Sequence, residues 1–220
     1  MNWNEFELQD VCLLITDGAH NSPKSVENGL PMASVKDLTP HGINLDTARL
    51  ISERDFFRLE KSNCSPKIGD VLIAKDGASA LDTVCEFTQD INVVLLSSVA
   101  ILRPNPSIIS TSFLRYYLDN PITRQYIKNG FITGAAIPRV ILEDFKRIKI
   151  SIPTLTIQQK ITAILSVYDN LIKNNTRRIT ILEKMAHLIY HEWFVNYRFP
   201  GHENVKIVDS GTEFGEIPEG

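Results

Sequence analysis

The chain changes rhythm once along its length. Up to Pro153, apolar residues come in short runs divided by turn formers, whereas from Ile157 they recur every three or four positions without interruption. In the first region, Leu8–Ile15 mixes apolar and polar positions and runs into the turn-rich stretch Thr16-Asp17-Gly18-Ala19-His20-Asn21-Ser22-Pro23. Leu30–Val35, Val71–Ala74 (after the turn Gly69-Asp70), Val84–Phe87 and Val93–Leu102 are rich in β-branched and apolar residues between turn signals, which predicts strands. Ser112–Tyr117 and Ile122–Asn129 predict two short helices around Pro121, with Gly130 as the cap of the second. A third short helix over Val140–Phe145 precedes a strand over 148–152, which Pro153 closes.

The second region predicts one helix. Ile157, Ile161, Ile164, Tyr168 and Leu171 alternate steps of four and three, Asn175 falls on the same seam, and Ile179, Leu182, Ala186, Ile189 and Trp193 continue it. Two successive four-residue steps flank Asn175, the signature of a stutter that locally unwinds a supercoil. Between Ile157 and Trp193 there is neither proline nor glycine. Such a helix is about 55 Å long at about 1.5 Å per residue, more than a domain of about 150 residues can cover. Part of the stripe therefore calls for a second helix, from another copy or another protein. A helix that breaks at Asn174-Asn175 and folds back is the alternative. The fold class expected is α+β: a globular mixed α/β domain over 1–153, then one long coiled-coil-forming helix within 154–199. Residues 200–220, polar and acidic, are expected to be a linker tail leading toward an absent second domain.

Composition narrows the class. At 43% hydrophobic and 22% charged residues, the chain has the make-up of an ordinary globular protein. No apolar run reaches the roughly 18 residues that span a bilayer, and the first residues lack a signal-peptide pattern. Cys12, Cys64 and Cys85 are odd in number and not spaced as metal ligands, as expected of reduced thiols in a cytoplasmic protein. The net charge of −3 hides an asymmetry, with 8 Lys/Arg against 15 Asp/Glu over residues 1–102 and 8 against 3 over 103–150. A basic segment in an acidic chain is compatible with nucleic acid on one face, and equally with a solvated surface.

No catalytic centre is legible. Asn105-Pro106 and Asn120-Pro121 are not completed into the Asn-Pro-Pro-aromatic motif of a base methyltransferase, and no glycine-rich phosphate loop is present. Glu143-Asp144 with Lys146 reads as a solvated helix face, and His187 and His191 are a pair without a third ligand. No metal and no cofactor are expected in this chain.

Three segments carry a resemblance. Leu142-Glu143-Asp144-Phe145, Ile150-Ser151-Ile152-Pro153-Thr154-Leu155 and Gln158-Gln159-Lys160-Ile161 follow a pattern of aliphatic strand, Pro, short spacer, Gln, basic residue and Ile. This resembles the passage from recognition domain to spacer helix in type I restriction–modification specificity subunits. Leu165, Asp169, Leu171-Ile172, Leu182 and Trp193-Phe194 fit the same helix. Thr16-Asp17-Gly18-Ala19-His20 with Pro23 is similar to a frequent opening loop of these domains, and residues 69–77 to their glycine–aspartate element.

The resemblance implies a target-recognition domain over 1–153 and a spacer and dimerisation helix over 154–199, one of each where family members usually carry two. It implies a half subunit reading double-stranded DNA. Its partners would be a modification subunit, which holds S-adenosylmethionine and methylates adenine, and a restriction subunit, the endonuclease and translocase. A homodimer through the helix would complete the reader. The aromatic cluster Tyr190, Trp193, Phe194, Tyr197 and Phe199 is a candidate docking patch for the modification subunit or, equally, buried in the chain's own helix pair. The alternatives are a recognition fragment of a fused restriction–methylation enzyme and a coiled-coil assembly protein without a DNA role.

On that reading the DNA contacts fall on loops, where small residues stand beside polar ones. Lys75, Asp76, Gly77 and Ser79 offer a cation for phosphate and a carboxylate for a cytosine amino group. Thr133, Gly134 and Arg139 offer a hydroxyl, a flexible glycine and a guanidinium for guanine or phosphate. Thr16, Asp17, His20 and Lys24 form a third loop, and Lys36 follows a strand as a phosphate anchor.

Overall fold

A computed structural model of the chain describes residues 3–133, 138–213 and 215–219. By internal contacts it divides into two units, Met1–Ala163 and Ile164–Gly220.

The first unit is built on a four-stranded antiparallel sheet in the order β2 (Cys12–Asp17), β10 (Val99–Pro104), β7 (Val71–Ala74), β8 (Val84–Glu86). The two middle strands are apolar nearly without interruption because both sheet faces are covered. Val71, Ile73, Ala100 and Leu102 point into one core, while Leu72, Ala74, Val99 and Ile101 point into another. Full burial of each of the larger of these side chains stabilises the fold by about 1.5–3 kcal/mol. Among the described residues, five helices lie wholly within this unit: α1 (Leu8–Val11), α2 (Glu53–Lys61), α3 (Thr111–Asp119), α4 (Pro121–Phe131) and α5 (Leu142–Arg147). Leu8, Val11, Phe113, Leu114, Leu118, Ile127 and Phe145 from four of them fill the first core. A three-stranded sheet, β6 (Arg49–Ile51), β3 (Ser25–Ala33), β9 (Val94–Leu95), packs with α2 around Met32, Ile51, Phe56 and Leu59. Short pairs complete the unit: β1 (Asn4–Glu7) with β13 (Lys149–Ile152), β4 (Leu38–Thr39) with β5 (Gly42–Ile43), and β11 (Ile132–Thr133) with β12 (Arg139–Val140).

Several local expectations change. Val93–Leu102 is two strands, not one: Leu96-Ser97-Ser98 turns the chain from the three-stranded sheet into the four-stranded one. Leu8–Val11 is a helical turn before β2, held by a reciprocal cap between Glu7 and Asp10. Gly130 lies inside α4, and Val140 belongs to a strand, so α5 begins two residues later than the pattern indicated. Helix α2 is absent from the sequence expectations, since only Phe56 and Leu59 are buried along its nine positions, six of which are polar. It is nevertheless well signposted, with Ser52 accepting from Asp55 N–H and acidic and basic residues at the matching dipole ends.

The long helix, α6, runs unbroken from Leu155 to Tyr190 and is followed by a π turn, His191–Val195. The break considered at Asn174-Asn175 does not occur. Beyond Ala163 the seam residues Ile164, Tyr168, Leu171, Asn175, Ile179, Leu182 and Ile189 are all exposed, as are Leu188 and Phe194. The tail is not plain linker: β14 (Ile207–Asp209) and β15 (Glu216–Pro218) form a hairpin, whose turn uses Gly211 and Gly215 at positive φ. No helix among the described residues is long and apolar enough to cross a membrane.

The three thiols are unpaired. Burial is the main cause that pushes Cys12 and Cys85 up to about 12 from an ordinary 9.0, with Asp70 adding to the rise at Cys12. Cys64 is also raised, by burial and then by the charge of Asp17. The folded state thus holds all three protonated. Stability is indifferent to these groups below about pH 9 and erodes above it, as the unfolded chain ionises first. Iodoacetamide at pH 8 is expected to leave Cys12 and Cys85 unmodified in the native chain and to label them in urea. Rapid native labelling by mass spectrometry would contradict the burial of Cys85 and the partial burial of Cys12.

Candidate nucleic-acid interface

The turn Leu96-Ser97-Ser98 gathers loops that are far apart in sequence. From the first loop, Gly18 N–H donates to Val99 O and Ala19 N–H to Leu95 O, while Ser97 N–H returns to Ala19 O. From the loop after β3, Val35 N–H donates to the Ser98 hydroxyl, and Leu96 N–H donates back to Ala33 O. From the loop after β7, Lys75 N–H donates to Ser98 O. That loop is stitched in turn to the strand at 139: Val140 N–H donates to Lys75 O and Gly77 N–H to Pro138 O, with Asp76 and Arg139 forming an isolated β-bridge. The fold thus joins three of the segments singled out as candidate contacts around serines whose one sign in the sequence is that they interrupt an apolar run. It ties residues 138–140 of the fourth to them through the Lys75 loop.

Two glycines permit this. A Cβ on Gly18 would lie 2.1 Å from Leu95 O, so only glycine lets the first loop seat on β9. Gly77 sits at φ +93°, a conformation L side chains rarely adopt.

The charges at the junction form a chain. His20 Nε2 lies 3.2 Å from Asp17 Oδ1, Asp17 Oδ2 lies 3.4 Å from Lys75 Nζ, and Lys75 Nζ donates to both Asp76 oxygens at 3.1 Å. Lys75 is only 5% exposed. It therefore does not face outward as the phosphate contact expected of it; its ammonium is the internal counter-charge that ties the first loop to the second. Asp17 is likewise buried, and Asp76 and Thr16 are half-buried. His20, Lys24, Lys36, Ser79 and Arg139 are exposed. Thr133 pairs with Arg139 in the β11–β12 ladder, and Gly134 lies outside the described residues.

The basic excess of residues 103–150 is largely spent internally. Arg103 makes a bidentate pair with buried Asp70 at 2.8 Å, which gives the Gly69-Asp70 element a structural role. Arg115 and Arg124 pair with Asp119, Lys128 with Asp82, Lys146 with Glu143, Arg147 with Asp144 and Lys149 with Glu5. Of that segment's cations, only Arg139 stands at the loop junction.

The start of α6 is fixed to the first unit by Gln158, which is fully buried. Its Oε1 accepts from Ser110 N–H at 2.9 Å, and its Nε2 donates to Ile108 O at 3.0 Å and Pro153 O at 2.9 Å. Ser110 is itself the N-cap of α3, so one amide joins the beginnings of two helices. Ile161, one turn on, packs against the first core, and Ile157 is half-buried. The Pro–spacer–Gln–basic–Ile pattern is therefore a docking lock. His187 and His191 lie on α6 and its π turn, and among the described residues no group of three His, Cys, Asp or Glu is placed to hold a metal.

A sequence model of the type I restriction modification DNA specificity domain matches residues 1–184. The chain belongs to this family. A putative type I restriction enzyme MjaX specificity subunit from Methanocaldococcus jannaschii is 26% identical over 223 residues, covering 99% of this chain and 50% of that protein. Two solved structures share the fold. An S subunit of a type I restriction–modification system from M. genitalium superimposes with TM-score 0.63 at 18% identity, over 89% of this chain and 46% of that one. A chain from a structure of type I complex assembly gives TM-score 0.56 at 22% identity, over 84% and 42%. This specificity-family chain thus spans half or less of the length of the relatives it matches, and its mixed α/β domain with a long helix is the family fold.

Proposed function

We propose that this chain is the DNA-reading half of a type I specificity subunit, recognising double-stranded DNA through the loop junction and pairing through α6. The reading is carried by one observation: loops at 16–24, 33–37, 75–79 and 138–140 are joined by main-chain hydrogen bonds around a single turn. Phosphates are held by Lys24, Lys36 and Arg139, while base edges are met by polar groups of the loops. Lys75, Asp17 and Asp76 act from behind as the charge pairs that keep the loops together, and Gly77 and Ser79 form the second loop's outer turn. Thr16 and the main chain of Thr133 border this face; Gly134, singled out with them in the sequence, lies outside the described residues.

The exposed seam Ile164, Tyr168, Leu171, Asn175, Ile179, Leu182 and Ile189, ending at Trp193, pairs with a second spacer helix, here a second copy of the chain. The chain carries no catalytic group of its own. It directs a modification subunit, which supplies S-adenosylmethionine and methylates adenine, and a restriction subunit that translocates and cleaves. The aromatic turn around Tyr190 and Phe194, whose rings stand 5.2 Å apart, is the docking patch for the modification subunit.

Selection from a random duplex pool by the full chain tests the reading. Enrichment of one motif is expected, with Lys24→Ala and Lys36→Ala each lowering affinity for all sequences alike and reducing the salt slope by about one. A chain that enriches nothing, or variants with an unchanged salt slope, would overturn it.

A further inference from the structure

We infer that Asn21 is a specificity-determining residue that reads an adenine edge, and that Arg49 is the positioning residue that presents it. The inference rests on the DNA-reading role proposed above and adds to it a residue and a base. The first loop is an arch pinned at both feet. At its start, Gly18 and Ala19 are bonded to Val99 O and Leu95 O, and Asp17 is paired with Lys75. At its end, Arg49 on β6 donates through Nη1 to Pro23 O at 3.2 Å and through Nη2 to the Ser22 hydroxyl and to Met32 Sδ.

Between these feet, three polar side chains face outward, and two are already engaged. His20, its side chain 75% exposed, is turned to Asp17, and Ser22 is held by Arg49. Asn21 is exposed, and among the described residues its amide makes no hydrogen bond. A cleft of about 570 Å³ lies beside the arch, between Asn21 and the side chains of Arg58 and Ser62 on and after α2. A carboxamide offers one donor and one acceptor side by side, the complement of adenine N7 and its amino group in the major groove. Because the arch is fixed before binding, little ordering cost is set against that contact. Lys24, three residues on, supplies the adjoining phosphate contact.

The test uses the full chain and the duplex motif it enriches, with each adenine replaced in turn by 7-deazaadenine. Wild type is expected to show one adenine whose replacement weakens binding roughly 10-fold. Asn21→Ala is expected to lose about the same factor on the unmodified duplex and to be insensitive to that one replacement, with an unchanged melting temperature. An Asn21→Ala chain that stays as sensitive as wild type to every replacement would overturn the inference while leaving DNA reading intact. If wild type enriches no motif, DNA reading and the inference fall together. Arg49→Gln is expected to lower affinity for the enriched duplex about 10-fold while leaving random-duplex affinity and its salt slope at wild-type values. Equal loss on both duplexes would remove the positioning role.

Discussion

Replacing Gln158 by leucine is expected to destabilise the first unit by about 3–5 kcal/mol, read as a lowered urea midpoint at unchanged slope. The substitution is close in volume, so the loss comes from three groups that lose their partner: Pro153 O, which is buried, and Ser110 N–H and Ile108 O, which are half-buried. Each orphaned group costs about 1–3 kcal/mol. Set against a total stability of about 5–15 kcal/mol for a domain, this is a large fraction. The adjacent Gln159 is exposed, and Gln159→Leu is expected to stay within about 0.5 kcal/mol of wild type. Equal effects of the two leucines would show that the amide is not a lock between α6 and the domain.

The second large effect is on association. Leu171 and Leu182 are 55% and 62% exposed in the single chain and lie on the seam assigned to pairing. If that seam is buried in a dimer, Leu171→Asp with Leu182→Asp removes the leucine burial, worth about 1.5–3 kcal/mol per residue in each chain, and places carboxylates in an apolar interface. The dimer Kd is expected to rise at least about a thousand-fold, so sedimentation velocity at micromolar concentration should give monomers. A dimer that survives both substitutions would place the interface elsewhere.

Much of this fold is legible before coordinates, for physical reasons particular to each element. The helix from Leu155 follows from a sustained three–four spacing with no breaker, a signal that thirty-six residues repeat many times over. Strands β7 and β10 follow from β-branched runs buried on both faces. Helix α2 escaped because its buried side is two residues wide, although its cap and charge pattern were there to be read. The sheet change at Leu96-Ser97-Ser98 escaped because a two-serine interruption of an apolar run marks a turn only once the two sheets are known. Lys75 shows where loop chemistry misleads: a lysine between small polar residues reads as an outward cation, yet Asp17, fifty-eight positions earlier, turns it inward. The locally basic stretch misleads in the same way, since carboxylates such as Asp70, Asp82 and Glu5 lie in the acidic half of the chain. Arg49 and Asn21 acquire meaning only from the pinned arch, which sequence spacing does not display.

Hydrogen–deuterium exchange of the full chain, with and without its enriched duplex, bears most directly on where DNA is met. Protection is expected at 16–24, 33–37, 75–79 and 138–140, with α3 and α4 unchanged. Protection confined to the helices carrying Arg115, Arg124 and Lys128, with those four loops exchanging as before, would contradict it.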